Sequence, residues 1–265
     1  MRLCLHGRAE HTGEKMKIKK LADFLDRYLK NAEISDDSQN GLQVGDTEAR
    51  VHGIAYGVDA CLELFEKAAS DGNDFIIVHH GLLWGKAFRL TGYNYKRFKT
   101  LFNGGLALYG VHLPLDLNAE VGHNIEIARK LSLKNIKGFG NYHGQTIGFM
   151  GEWPRGMSTA QAEKKLKSLF KAGCYMKLSG KNIRKVGVIS GGGADLITDA
   201  VKEGIDLFVT GEAKHYIYHY AKENDMDLFF GGHYCTEREG LLKLKELIED
   251  KFGIRGRFYE IPTGL

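Results

Sequence analysis

The chain has no CxxC pair, no long apolar run and no block of like charge, and each absence removes a class of protein. Its four cysteines, Cys4, Cys61, Cys174 and Cys235, lie far apart. That spacing argues against a disulfide framework or a thiolate zinc site and for reduced thiols in a cytoplasmic protein. No apolar stretch approaches the roughly 18 residues needed to cross a bilayer, and the first residues lack the apolar core of a secretory signal. The 37 basic and 33 acidic residues are spread along the sequence and leave a net charge of +4, so no basic block advertises a nucleic-acid face. What remains is a 265-residue chain with 43% hydrophobic content, enough for one large α/β domain or two smaller ones.

The apolar pattern begins at Met16. Met1 to Lys15 is polar and basic and reads as an extension outside the fold. Ile18, Leu21, Phe24, Leu25, Tyr28 and Leu29 predict an amphipathic helix. A turn and short strand follow at Asn40-Gly41-Leu42-Gln43-Val44. Val51 to Val58 predicts a strand, Ala60 to Ser70 a helix, and Asp74 to Val78 a buried strand running straight into His79-His80. A helix at Tyr93 to Asn103, a strand at Leu106 to Val111 and a helix at Val121 to Leu131 complete a first half, residues 16–131. The second half, residues 132–265, opens with β-like runs and continues with a helix from Ser158 to Phe170, Ser158 serving as N-cap, and a short strand at Cys174 to Leu178. A helix after Thr236 runs to Phe252, and Arg257 to Ile261 is a closing strand that can return to the first sheet.

The halves resemble each other. Laying Val186 to Thr210 on Ile54 to Val78 without a gap matches Leu196 with Leu64, Ala200 with Ala68, Gly204 with Gly72 and Asp206 with Asp74. The next strand of each copy ends in His-x-x-x-carboxylate, His112 to Asp116 and His233 to Glu237. The expected fold class is therefore α/β: two related units with mainly parallel central strands flanked by helices, related by a pseudo-twofold axis.

Ligands of open α/β sheets gather beyond the carboxyl ends of the strands, where His79-His80, His112 to Asp116 and His233 to Glu237 all fall. Imidazole and carboxylate without thiolate suit Zn²⁺, Mn²⁺ or Fe²⁺, and carboxylate-rich variants admit Mg²⁺. Adjacent side chains diverge as they leave a strand, so tandem histidines point to two neighbouring ions. Pro114 disfavours helix at Leu113 and predicts a loop for His112 and Asp116. His233 and Glu237 can align over one helical turn, with Glu237 bridging both ions. A single histidine such as His112 or His143 is by itself more readily explained as a locally hydrogen-bonded residue. Glu212, at the position of the tandem histidines in the second copy, reads either as a carboxylate supporting the site or as a first-turn helix acid. Gly191-Gly192-Gly193 offers amides to an anion. Trp84, Phe88, Tyr93 and Tyr95 read as buried packing in preference to the wall of a base pocket.

Taken in order, Asn40 to Val44, Val78 to Trp84, Gly110 to Asp116, Thr210-Gly211-Glu212 and Gly232 to Glu237 resemble the GTP cyclohydrolase I type 2 family, also called the NIF-three-like family. Many members have Pro where this chain has Gly81, the form of the short bacterial branch. The resemblance implies a toroidal homohexamer with a dinuclear centre ligated by His79, His80, Asp116, His233 and Glu237. Glu237 would bridge, and His112 and Glu212 are the candidate acid/base groups. It also implies a metal-dependent hydrolase acting on a nucleotide or related heterocycle, with GTP as candidate, in which metal activates water and a nearby His or Glu moves protons. A non-catalytic ring that binds metal and engages DNA or a protein partner is the alternative.

Overall fold

The computed structural model describes residues 16–171 and 173–265, so the extension expected at residues 1–15 lies outside the described residues. Helix α1 (Ile18–Leu29) buries Ile18, Leu21, Ala22, Leu25 and Leu29 on one face, the spacing a helix requires. It stops at Lys30, whose left-handed backbone turns its amide back onto the Asp26 carbonyl. The chain then runs through β1 (Gly41–Val44), β2 (Ile54–Asp59), α2 (Leu62–Ser70), β3 (Phe75–His80), α3 (Gly92–Asn103), β4 (Ala107–Gly110), α4 (Leu113–Leu117) and α5 (His123–Lys130).

A two-residue hairpin joins β5 (Lys134–Tyr142) to β6 (Gln145–Met157). His143 and Gly144, both at positive φ, make its turn, which the right-handed twist of paired strands demands. Next comes α6 (Thr159–Phe170), opened by a capping box between Ser158 and Gln161. The remainder is β7 (Cys174–Met176), β8 (Ile183–Ile189), α7 (Ile197–Lys202), β9 (Leu207–Thr210), α8 (Ile217–Glu223), β10 (Asp227–Phe230), α9 (His233–Thr236), α10 (Glu239–Phe252) and β11 (Gly256–Phe258).

These strands form two sheets, ordered β1-β4-β3-β2-β11 and β5-β6-β8-β9-β10-β7. In the first, β4, β3, β2 and β11 are parallel and β1 is an antiparallel edge; in the second, β8, β9 and β10 are parallel, with antiparallel neighbours on both sides. The α/β class with parallel centres is therefore what the sequence predicts. Register agrees with the ungapped alignment as well: Ile54 pairs with Phe75, and the matching residue Val186 pairs with Leu207.

The helices following the two central strand ends are exchanged between sheets. Leu241, Leu244 and Ile248 of α10 pack with Ile54, Tyr56 and Phe75 of the first sheet, where β11 also joins β2. Ile127 and Ala128 of α5 pack instead with Val186, Val188 and Leu207 of the second. This crossing carries the chain from each strand end toward the opposite sheet, so the two ends meet over one seam.

Two local expectations change, and one helix is added that the sequence pattern does not announce. Leu113 to Leu117 is a short helix despite Pro114, because the ring sits in the first turn, where no intrahelical donor is required of it. Helix α8 had no strong periodic signal, since Ile217 and Ala221 alone are buried. Phe88, Tyr93 and Tyr95 are exposed, not buried, on and beside α3. Among the described residues no helix is long and apolar enough to cross a membrane.

Candidate metal centre

Of the imidazoles that converge on the seam, four donate from Nδ1 to an oxygen. His79, wholly buried at the end of β3, donates from Nδ1 to the Val111 carbonyl at 3.0 Å. His80 donates to Asp59 Oδ1 at 2.8 Å, Asp59 being the last residue of the neighbouring β2. His112, the cap of α4, donates to Asp36 Oδ1 at 3.0 Å, while its own amide donates to Asn40 Oδ1 at 2.7 Å. From the second sheet His233 donates to Glu212 Oε1 at 2.6 Å. Carbonyl and carboxylate oxygens accept only, so each Nδ1 holds a proton and, in the neutral ring, each Nε2 presents a lone pair.

Those lone pairs meet carboxylate oxygens. Glu237 Oε1 lies 3.6 Å from His79 Nε2, and its other oxygen, Oε2, lies 3.2 Å from His80 Nε2 and 3.0 Å from His233 Nε2. Asp116 Oδ2 is 3.6 Å from His79 Nε2, while Oδ1 accepts from the Ser190 hydroxyl at 2.9 Å. His79 Nε2 and Glu237 Oε2 are buried with no aligned hydrogen bond. Lone pairs facing lone pairs in a dry pocket repel unless a proton or a cation lies between them. The donor set, imidazole nitrogen with carboxylate oxygen, fits a borderline divalent ion.

The titration behaviour has the same origin. Burial, followed by the charge of Glu237, pushes the Asp116 carboxyl up. Burial opposes ionisation of Glu237 too, but the adjacent imidazoles, His79 first and then His233 at 3.0 Å, outweigh it and hold this carboxyl well below the usual range. The His233 imidazole, 3.0 Å from the Glu237 carboxylate, rises to about 9 despite its burial. Asp36 is also partly buried, yet its hydrogen bond to His112 and the charge of that ring bring it to about 2.

Gly191 is one of the glycines that let the second sheet pack closely against the seam. A Cβ on Gly191, which has φ +56°, would overlap Glu237 Oε1 and lie 3.2 Å from His233 Nε2. Gly191 thus serves close approach; its amide is taken up by Thr236 Oγ1 at 3.0 Å and not turned to an anion. Glu212 lies in the loop between β9 and α8, so the first-turn helix reading does not hold, and its carboxylate orients His233 instead. His143 stands at the hairpin turn of β5 and β6, remote in role from the seam. Trp84, unlike the exposed aromatics of α3, is in the neighbourhood, its ring 5.1 Å from that of His112.

The sequence profile of Duf34/NIF3 (NGG1p interacting factor 3) matches residues 16–263. The chain belongs to the Duf34/NIF3 family. A GTP cyclohydrolase 1 type 2 homolog of Deinococcus radiodurans is 40% identical over 92% of this chain and 93% of its own length. A relative with the same name from Archaeoglobus fulgidus is 37% identical over 94% of this chain and all of its own. Among solved structures, protein ybgI, of unknown function, superposes with a TM-score of 0.88 at 31% identity, covering 94% of this chain and 100% of that one. A Thermus thermophilus protein gives 0.84 at 36% identity with the same coverage.

Among the described residues of this Duf34/NIF3 chain, three sets of groups lie close enough to share an ion, with ligand atoms within 4.8 Å: His79, His80 and His112; His79, Asp116 and His123; and His80, His233 and Glu237. All the residues singled out from sequence as ligands fall in these sets. His123 does too, and sequence reasoning missed it, because it stands at the start of a helix with no strand before it. Burial, then the charge of His79, keeps its imidazole well below the ordinary value. Asp36 and Asp59 were also missed, although the strand-end rule that found His80 applies equally to Asp59 at the end of β2.

Proposed function

We propose that the protein is a cytoplasmic hydrolase dependent on two divalent ions and acting on a nucleotide or related heterocycle. The observation behind this reading is the division of Glu237, one oxygen toward His79 and the other toward His80 and His233. His79 and Asp116 would hold one ion and His80 and His233 the other, with Glu237 shared. Divalent ions so held supply Lewis acidity and lower the pKa of water to near 7. The chain's own residues orient and move protons around them. Asp36 stays ionised beside His112 and turns its Nε2 inward, which makes His112 the acid/base candidate, while Glu212 keeps the His233 ring in place.

A cavity of about 410 Å³ opens beside His80, lined among others by Asp59, Cys61, Arg97, Tyr234, Tyr259 and Pro262. This falls within the usual range for small-molecule sites and places Arg97 to meet an anionic group. Relatives named as GTP cyclohydrolase homologues make GTP the first substrate to test. Metal-loaded protein incubated with GTP should release formate, and a panel of nucleotides and heterocycles under Zn²⁺, Mn²⁺, Fe²⁺ and Mg²⁺ would identify the preferred substrate. Absence of turnover across that panel would refute the enzymatic reading.

The assembly proposed with it is the homohexamer. Phe88, Leu90, Tyr93, Tyr95 and Phe102 are exposed on and around α3, a patch that favours self-association. Light scattering that returned the 29.6 kDa of one chain would exclude it.

A further inference from the structure

His123 differs from the other imidazoles of the seam in the direction of its hydrogen bond. Where His79, His80, His112 and His233 donate from Nδ1 to oxygen, His123 Nδ1 lies 3.0 Å from the Gly240 amide, which donates to it. An amide N–H has nothing to accept with, so Nδ1 is unprotonated and the proton of the neutral ring sits on Nε2. The ring is wholly buried, 4.6 Å from that of His79, and Nε2 has no hydrogen-bond partner. A buried donor without an acceptor is costly unless something arrives to take it.

The arrangement is built from both exchanged helices. His123 is the first residue of α5 and Gly240 the second of α10. A Cβ at Gly240 would lie 2.8 Å from the His123 nitrogen of the main chain and 3.0 Å from Nδ1, so only glycine lets the amide approach. The next residue, Asn124, is anchored on both sides, donating to the Ile147 carbonyl at 2.9 Å and accepting from the Ser190 amide at 2.7 Å. Ring position and proton position are therefore both determined by backbone contacts.

We propose that His123 is not a metal ligand but a fixed hydrogen-bond donor, offering Nε2–H to an anionic ligand bound beside His79 and Asp116. A nitrogen that bears a proton has no lone pair for a metal, whereas it suits fluoride, hydroxide or a negatively charged substrate oxygen. The pocket then divides its imidazoles into lone-pair donors for cations and one proton donor for the anion that accompanies them. This assignment rests on the two-ion reading for the anion it serves, though the position of the proton does not.

Neutron diffraction from deuterated crystals, metal-stripped and Zn²⁺-loaded, locates that proton directly. Deuterium on Nε2 of His123 in both states is expected; deuterium on Nδ1 in either would overturn the proposal. Zn²⁺ content measured on His123→Gln should match the wild type while His79→Gln loses Zn²⁺, and equal loss in both would make His123 a ligand. Fluoride titrated calorimetrically into Zn²⁺-loaded protein should bind about ten-fold or more weakly to His123→Leu, with His123→Gln in between because its amide still donates. Unchanged fluoride affinity would also overturn the proposal. If the wild type takes up no ion, the two-ion reading fails, and the neutron result alone then decides the position of the His123 proton.

Discussion

The segments that follow β4 and β10 come from equivalent strands, yet they are out of step by one residue. Val111 donates its amide to Val78 and Gly231 donates to Thr210, and Val78 and Thr210 are partners in the internal alignment. His112 therefore stands where the second copy has Gly232, a glycine at φ +87°, and His233 comes one position later. After β10 this delay places His233 at the start of α9 and Glu237 one turn on, the pair 3.0 Å apart. After β4 the two residues separate, His112 turning to Asp36 and Asp116 to His79 and Ser190. Similar sequence patterns thus produce a central carboxylate from one copy and a peripheral one from the other.

Replacing each carboxylate is the most forceful way to break this comparison. Glu237→Ala should reduce bound metal from about two ions per chain, as a dinuclear site requires, to nearly none, whereas Asp116→Ala should remove about one; elemental analysis of purified proteins reads both. Equal losses would contradict the asymmetry. Next in size is the exchange of helices. Leu244→Ala in α10 and Ile127→Ala in α5, both wholly buried, should each destabilise by about 2–5 kcal/mol in denaturant unfolding. A loss well under 1 kcal/mol at one position would show that its helix adds little to the opposite sheet.

A smaller effect separates the supporting carboxylates. Glu212→Gln should weaken metal binding by about 10- to 100-fold in chelator competition, because it no longer fixes the His233 ring. Asp36→Asn acts on His112, which the two-ion reading leaves out of the ligand set, so metal affinity should change little while turnover falls.

The gentlest probe is pH. His233 is raised to about 9 from its ordinary 6.5 chiefly by its close contact with the Glu237 carboxylate. In metal-stripped protein its contribution to stability is complete below pH 6.5 and disappears as pH rises through about 9. A cation must expel that proton, so metal affinity should climb with pH over the same window, then level off. Affinity that is flat from 6.5 to 9 would remove His233 from the ligand set.

Much of this was legible in the chain because strand ends in parallel sheets are where ligands collect. Val78-His79-His80 announces itself by an apolar run stopping at two imidazoles, and His233 and Glu237 by their four-residue spacing. The loop predicted around Pro114 became helix because position within the helix, which sequence leaves open, decides whether proline is tolerated. His123 and Gly240 were invisible for a different reason. Their significance is a contact between helices far apart in sequence, and neither residue type is unusual where it stands. Asp36 and Asp59 are likewise ordinary acids until the fold sets them behind a histidine.

The exchange of α5 and α10 also bears on how the molecule comes apart. A cut after Leu131 would leave one fragment with its sheet stripped of α10 and the other stripped of α5, each with an oily surface open to water. The halves are braided like two clasped hands, and neither fragment holds a full complement of ligands. Loosening one grip frees the other, so melting should run through both sheets as a single event.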